Sequence, residues 1–338
     1  VQFATSTDNS CAIKIDRTLW CWGQNFGGQM GTGTTTTSVL TYLTATKVTT
    51  TSPTSSSNTW AQVAVTGSNV GATICAIDVA GDLWCSGSHT NGGYGADGIS
   101  SAKYTFTKSA NAAATGLIQI SAIEGYSSSN GSWCALKKTG AVICWGQNIK
   151  GELGTGTQSQ VTSLYTPYLM DSQVNLVDLG DSNGCAIKLG ALYCWGRNGV
   201  GQLGTGGSDA NFNAVQPQSV GFDVSKGIVD VIVAKNWGTP AYSMNCAINN
   251  QGVMACAGAN TSNGFMPFMS SGSYQYTFAP ARWSNVTGAA LAQDIGCVVV
   301  GGSVQCSGVA QSGGLGTGYS NDYFPANPLN VAGLNGKV

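Results

Sequence analysis

Twelve cysteines and a single histidine are the side chains of this 338-residue chain whose type and spacing bear most directly on chemistry. The cysteines fall into six pairs nine or ten residues apart, with none left over: Cys11 with Cys21, Cys75 with Cys85, Cys134 with Cys144, Cys185 with Cys194, Cys246 with Cys256, and Cys297 with Cys306. Zinc binding would call for Cys-x2–4-Cys knuckles and covalent haem attachment for Cys-x-x-Cys-His. Neither spacing occurs. Each pair instead flanks a turn, such as Lys138-Thr139-Gly140 or Leu189-Gly190. A separation of nine suits a two-residue hairpin loop, and ten suits a three-residue loop with a glycine-assisted bulge. Both place the two cysteines opposite one another on adjacent strands, about 4.5 Å apart between Cα atoms, at the short end of the disulfide range. Six disulfides are expected, one per pair.

Little else in the chain points to catalysis. His89 is the only base available to a nucleophilic triad, and no G-x-S-x-G or H-E-x-x-H motif is present. The stretches GTGTTTT (31–37) and GTGG (204–207) open no helix and precede no G-K-[ST], so they are turns and not phosphate cradles. Asp8, Asp78, Asp82, Asp178, Asp181 and Asp294 lie near expected strand ends. In a ring they would approach a central channel, but capping of turns is the plainer role for such residues. No catalytic residue, metal ligand or cofactor is assigned, and the chain is read as a non-enzyme.

The elements that must hold these pairs are strands. The first cysteines stand at 11, 75, 134, 185, 246 and 297, a period of 51 to 64 residues. Short runs rich in Val, Ile, Thr and aromatics, punctuated by Gly, Asn and Ser, make each repeat β in character. A unit of this length accommodates four short strands, the content of a propeller blade. The distance from Cys297 through Val338 and on from Val1 to Cys11 is 52 residues, within the internal range. Residues 334–338 followed by 1–4 also match the apolar strands that precede Cys134 and Cys246. The expected architecture is all-β: a single domain over 1–338, a six-bladed β-propeller of four-stranded antiparallel blades. Pairing of the N- and C-terminal segments would close it, with one disulfide in each blade.

The phrase CWGQNxxGxLGTG, set after CAL-K-x-x-G, resembles the repeat of the regulator of chromosome condensation family. Copies at 11–33, 134–156 and 185–206 are close, and those beginning at Cys75, Cys246 and Cys297 are partial. The resemblance implies a propeller used as a rigid platform for protein partners. Two features depart from it: many propellers of that family have seven blades, and its chromatin-associated members are intracellular. A cysteine pair in every repeat sets this chain apart from them, and within the family it is similar in kind to the propeller-type β-lactamase inhibitory protein, a secreted member that acts by presenting loops.

Six disulfides require an oxidising compartment, so the chain is expected to be secreted or surface-displayed, extracellular or periplasmic. Only 9% of residues are charged and the net charge is −1. The scattered basic residues argue against nucleic acid as a main partner. No run of 18 apolar residues exists, hence no transmembrane helix, and no signal peptide precedes the first strand, as in a mature or trimmed chain. Sequons stand at Asn130, Asn260 and Asn285.

Residues repeated at fixed offsets, such as Trp22, Trp145 and Trp195 or Leu153, Leu203 and Leu315, are expected to pack blade against blade. A binding site should lie where the repeats differ. The connections before Cys75, Cys134 and Cys246 are long, and so are the segments 34–59, 99–115 and 258–284. Two of these connections carry aromatic and amide side chains: Tyr126, Asn130 and Trp133 in one, Asn236, Trp237 and Tyr242 in the other. Aromatic anchors among Ser, Gly and Asn make up a ligand-binding surface. A protein partner is the first expectation, a glycan bound in the manner of a lectin-like adhesin the second. Self-assembly through the Thr-rich 34–59 segment, as a structural subunit, is the third.

Overall fold

The computed structural model describes residues 1–33, 41–50, 59–67, 72–88, 102–123, 131–159, 161–167, 169–180, 182–208, 213–219, 227–235, 243–260, 273–281, 283–291, 295–308, 329–332 and 334. They form six four-stranded antiparallel sheets, each built from four consecutive strands. The first comprises β1–β4 (Gln2–Thr5, Asn9–Ile13, Leu19–Gln24, Thr41–Lys47), and the second β5–β8 (Trp60–Thr66, Thr73–Asp78, Leu83–Gly87, Lys103–Lys108). The third holds β9–β12 (Leu117–Ile123, Ser132–Lys137, Val142–Gly146, Val161–Tyr165), and the fourth β13–β16 (Val174–Gly180, Asn183–Lys188, Ala191–Arg197, Asn213–Ser219). The fifth contains β17–β20 (Ile228–Val233, Met244–Asn249, Met254–Asn260, Ser273–Pro280), and the sixth β21–β24 (Val286–Leu291, Ile295–Val300, Ser303–Gly308, Leu329–Asn330).

All twelve cysteines are paired as the spacing requires, always between the second and third strands of a sheet, with Cα atoms 4.1 Å apart. The turn geometry follows the spacing too. Where it is nine, Leu189-Gly190 and Gly301-Gly302 form two-residue turns with both φ angles positive. Where it is ten, the last loop residue is left-handed: Gly81, Gly140 and Gly252, with Arg17 (φ 65°) in the same place in the first sheet.

Successive sheets stack flank to flank and enclose an apolar cluster at each described joint, from first-and-second to fifth-and-sixth. Covering on both flanks explains why the middle strands are nearly continuous apolar runs instead of alternating ones: every residue of β6, β7 and β11 is buried. The main chain joins each hairpin turn to the start of the next sheet. Trp60 N–H donates to the Arg17 carbonyl, Leu117 to Gly81, Val174 to Gly140, Ile228 to Gly190 and Val286 to Gly252, at 2.8–3.0 Å.

The outer flanks of the first and sixth sheets differ from these joints. Cys306 is the one fully covered apolar residue in the small cluster on the sixth sheet, while Phe3 and Leu43 of the first are 67% and 89% exposed. Trp22 is half-buried, whereas Trp145 and Trp195 at the same repeat position are fully buried. Strand β1 has four residues against six or seven in every other first strand. Among the described residues no strand from one end of the chain pairs with one from the other; 335–338, on which terminal pairing was expected to rest, lie outside them.

Candidate functional site

The repeated phrase builds a turn, not a ligand site. After the three Trp-Gly pairs, at Trp22, Trp145 and Trp195, an asparagine amide oxygen accepts from the main-chain N–H five residues on: Asn25 from Met30 (3.0 Å), Asn148 from Leu153 (2.9 Å), Asn198 from Leu203 (3.0 Å). Gln29, Glu152 and Gln202 close the same turn by accepting from the N–H two residues back. Met30, Leu153 and Leu203 are thereby driven fully into the core. The carbonyls of Gln29, Glu152 and Gln202 then receive side chains of the following sheet: Ser86 Oγ at 2.8 Å, Trp195 Nε1 at 2.8 Å and Asn245 Nδ2 at 2.9 Å.

The first strands line a cavity of about 330 Å³, walled by Gln2–Thr5, Gln62–Val65, Gln119–Ala122, Asp178 and Lys235. Its side chains stitch one sheet to the next. The Gln2 amide donates to the Val63 carbonyl (3.3 Å) and accepts from the Val63 N–H (2.9 Å), acting as a surrogate peptide group on the edge of β5. Gln119 does the same to Val177 on β13. Gln2 also donates to the Gln62 side-chain oxygen at 2.9 Å. Further along, Ser121 Oγ donates to Asp178 (2.7 Å), the other Asp178 oxygen accepts from Val233 N–H (3.0 Å), and Lys235 Nζ stands 3.7 Å from the carboxylate. Such a wall of amides, a hydroxyl and an ion pair suits a polar group more than an apolar one. Burial pushes the Asp230 carboxyl above its ordinary value, against a main-chain hydrogen bond from Val231; the Asp178 charge adds to the rise.

The acidic residues singled out from the sequence separate accordingly. Asp78 caps its turn, accepting from Ala80 and Asp82 N–H at 2.9 Å, and also holds Trp84 Nε1 at 2.9 Å. Asp82 pairs with Lys108. Asp178 is not a cap: it faces the neighbouring strand and the cavity, because the fifth residue of a first strand points across a joint. The carbonyl of Asp8 accepts from Gln24 N–H at 3.1 Å. Asp181, Asp294 and His89 lie outside the described residues. Among the described residues no group of three His, Cys, Asp or Glu side chains is arranged to hold a metal, and no helix is long and apolar enough to cross a membrane.

Of the six residues expected on a binding surface, Tyr126, Asn130, Asn236, Trp237 and Tyr242 lie outside the described residues. Trp133 is inside the fold. Strand β10 begins at Ser132, so Trp133 is a strand residue with its ring between the second and third sheets, fully buried and stacked on Trp145 (6.0 Å between centroids, 3° between planes). Its place is in the core and not on the loop surface. The cavity-lining Gln2, Gln62 and Gln119 were not singled out from the sequence: they stand 9, 13 and 15 residues before their cysteines, and only the strand register makes them equivalent, each opposite the residue two after the first cysteine.

The loops between first and second strands and those between third and fourth emerge at one end of the sheets; the hairpin turns and inter-sheet connections lie at the other. Against known proteins, the family model described as the regulator of chromosome condensation (RCC1) repeat matches residues 190–236. The sequence has no match among curated proteins. Solved structures with a similar fold include yeast RCC1 (Prp20) bound to Kap60, 17% identical with a TM-score of 0.76, over 98% of this chain and 74% of that one. A second, Prp20p from Saccharomyces cerevisiae, gives the same identity and TM-score over 98% and 76%. Human WBSCR16 is 15% identical with a TM-score of 0.76, over 98% and 81%. At these identities the likeness concerns the fold. Residues 190–236 match a regulator of chromosome condensation repeat, and the chain as a whole shares the β-propeller fold of yeast RCC1 (Prp20) and of human WBSCR16.

Proposed function

We propose that the chain is an exported, non-enzymatic binding module: one closed six-bladed propeller over residues 1–338 that presents the loops at the end opposite its hairpin turns to a protein partner. The observation that carries this reading is how the polar side chains are used. The described Asp, Asn and Gln residues of the repeat are bonded to turns and to adjacent sheets, as Asp78, Asn148, Gln119 and Asp178 illustrate. Such a framework is rigid, and the segments free of the repeat are the connections before Cys75, Cys134 and Cys246. Six disulfides favour an oxidising compartment and so export. Proteins of this fold bind proteins: one Prp20 structure contains Kap60, and another is described with its binding to Gsp1p and histones. The exposed flanks of the first and sixth sheets support a sixth joint between them that completes the ring.

The test is a partner captured by cross-linking on the purified, disulfide-bonded protein, followed by its affinity for loop variants. Tyr126→Ala combined with Trp237→Ala should weaken binding by at least about tenfold with an unchanged Tm. Unaltered affinity would sink the loop surface as the site.

A further inference from the structure

The end that carries the hairpin turns presents a second surface. Each hairpin turn there is bonded to the start of the next sheet, so successive turn tips stand side by side in one layer. Ile15, Val79 and Leu189 occupy tips and are 86%, 55% and 71% exposed; Ile118 and Val229, second residues of β9 and β17, are 50% and 55% exposed beside them. Basic residues gather at the same end. Lys14, Lys108 and Lys188 are offset by Asp16, Asp82 and Asp171. Arg17, Lys47, Lys137 and Lys138 have no carboxylate partner among the described residues, and all but the half-buried Lys137 are exposed.

Leu189 adds an independent sign. It takes φ 54° at the first position of a two-residue turn whose second residue, Gly190, has φ 74°. Asn, Asp and Gly suit that position, and a leucine there is strained. Being mostly exposed, it buries little apolar area to offset the strain. A side chain that works against its own turn and contributes little to the core is one employed outside the fold.

We propose that this end of the molecule rests on an anionic lipid surface, the aliphatic tips entering the boundary of the acyl region and the unpaired basic groups meeting headgroups. Interfacial binding needs both parts, apolar area and positive charge. Tips projecting in one layer match a flat surface; a groove would suit a protein segment. The contact is shallow and involves no membrane span. It leaves the loop end facing solvent and stands whether or not the loop reading holds.

The disulfide-bonded protein is sedimented with vesicles of phosphatidylcholine and phosphatidylserine, and with vesicles of phosphatidylcholine alone. Binding is expected to the first only, and to fall at high salt. Leu189→Asn should weaken it several-fold while raising the Tm, because asparagine suits the turn; a purely structural role would move both in one direction. Lys137→Glu with Lys138→Glu should weaken it as well. No sedimentation with the anionic vesicles overturns the proposal, as does binding unchanged by Leu189→Asn or lost in step with a lowered Tm. Binding that responds to the lysines and ignores Ile15→Asn combined with Leu189→Asn also overturns it, and indicates a face for an acidic protein.

Discussion

The indole N–H of Trp195 donates to the main-chain carbonyl of Glu152 at 2.8 Å, across the joint between the third and fourth sheets. Both residues belong to the same repeated phrase, one copy after the other. The phrase thus encodes a contact between repeats: its Gln or Glu closes a turn, and the carbonyl left over is taken by the next sheet, through Ser86, Trp195 or Asn245. Trp195→Phe keeps the ring in place and removes the donor. It should cost about 0.5–1.5 kcal/mol, the net worth of one hydrogen bond. Urea unfolding would measure it, and a loss below a few tenths would show that water or another donor replaces the indole.

Two glycines of one loop should respond differently to alanine. Gly204 and Gly206 both have positive φ, 69° and 94°. A Cβ on Gly204 would meet the Phe278 ring at 2.4 Å, while one on Gly206 meets nothing within 4 Å. Gly206→Ala should therefore cost only the left-handed backbone, about 1–2 kcal/mol. Gly204→Ala should add about 1–3 kcal/mol of overpacking, because Phe278 is held in the fourth-to-fifth joint. Equal losses for the two variants would contradict this packing.

Replacing Cys185 and Cys194 together by alanine opens one short loop inside the fourth sheet. The expected loss is about 2.5–3 kcal/mol in the chain-entropy account, with the sheet order intact. Non-reducing mass spectrometry of the wild-type chain should find no free thiol, and detection of several would undo both the pairing and the inference of an oxidising compartment.

Stability should depend on pH through Asp230. Its folded-state carboxyl is raised chiefly by burial. Such a group stabilises the fold fully below its unfolded value, and that contribution is lost as pH rises through the folded value. Asp230→Asn should accordingly raise the Tm at neutral pH, with the gain vanishing below about pH 3, where aspartate is protonated in both states. A gain that persists in acid would place its origin elsewhere.

Much of the fold was legible because its determinants are local. A separation of nine or ten residues around a turn leaves little choice but opposed strands, so the six cysteine pairs and their turn types followed from spacing alone. The Trp-Gly, Asn and Leu-Gly offsets likewise marked residues spent on the repeat, as Asn148 and Leu153 are. The site was less legible. Trp133 resembled a loop aromatic because its strand begins only one residue earlier, at Ser132, and nothing local marks that boundary; both faces of the strand are covered there.

The sequence by itself therefore determined the β class, the number of repeats and the covalent cross-links, all of which depend on neighbours within about ten residues of one another. Only the tertiary structure decided which side chains cross the joints. Gln2 bonds to Val63, Gln119 to Val177 and Asp178 to Val233, over 55 to 61 residues of chain. Nothing in a single repeat states that a glutamine amide near the start of its first strand will stand in for a peptide group of the next sheet. That role exists only once two sheets are packed and the edge of one presents an unpaired N–H and C=O to the other.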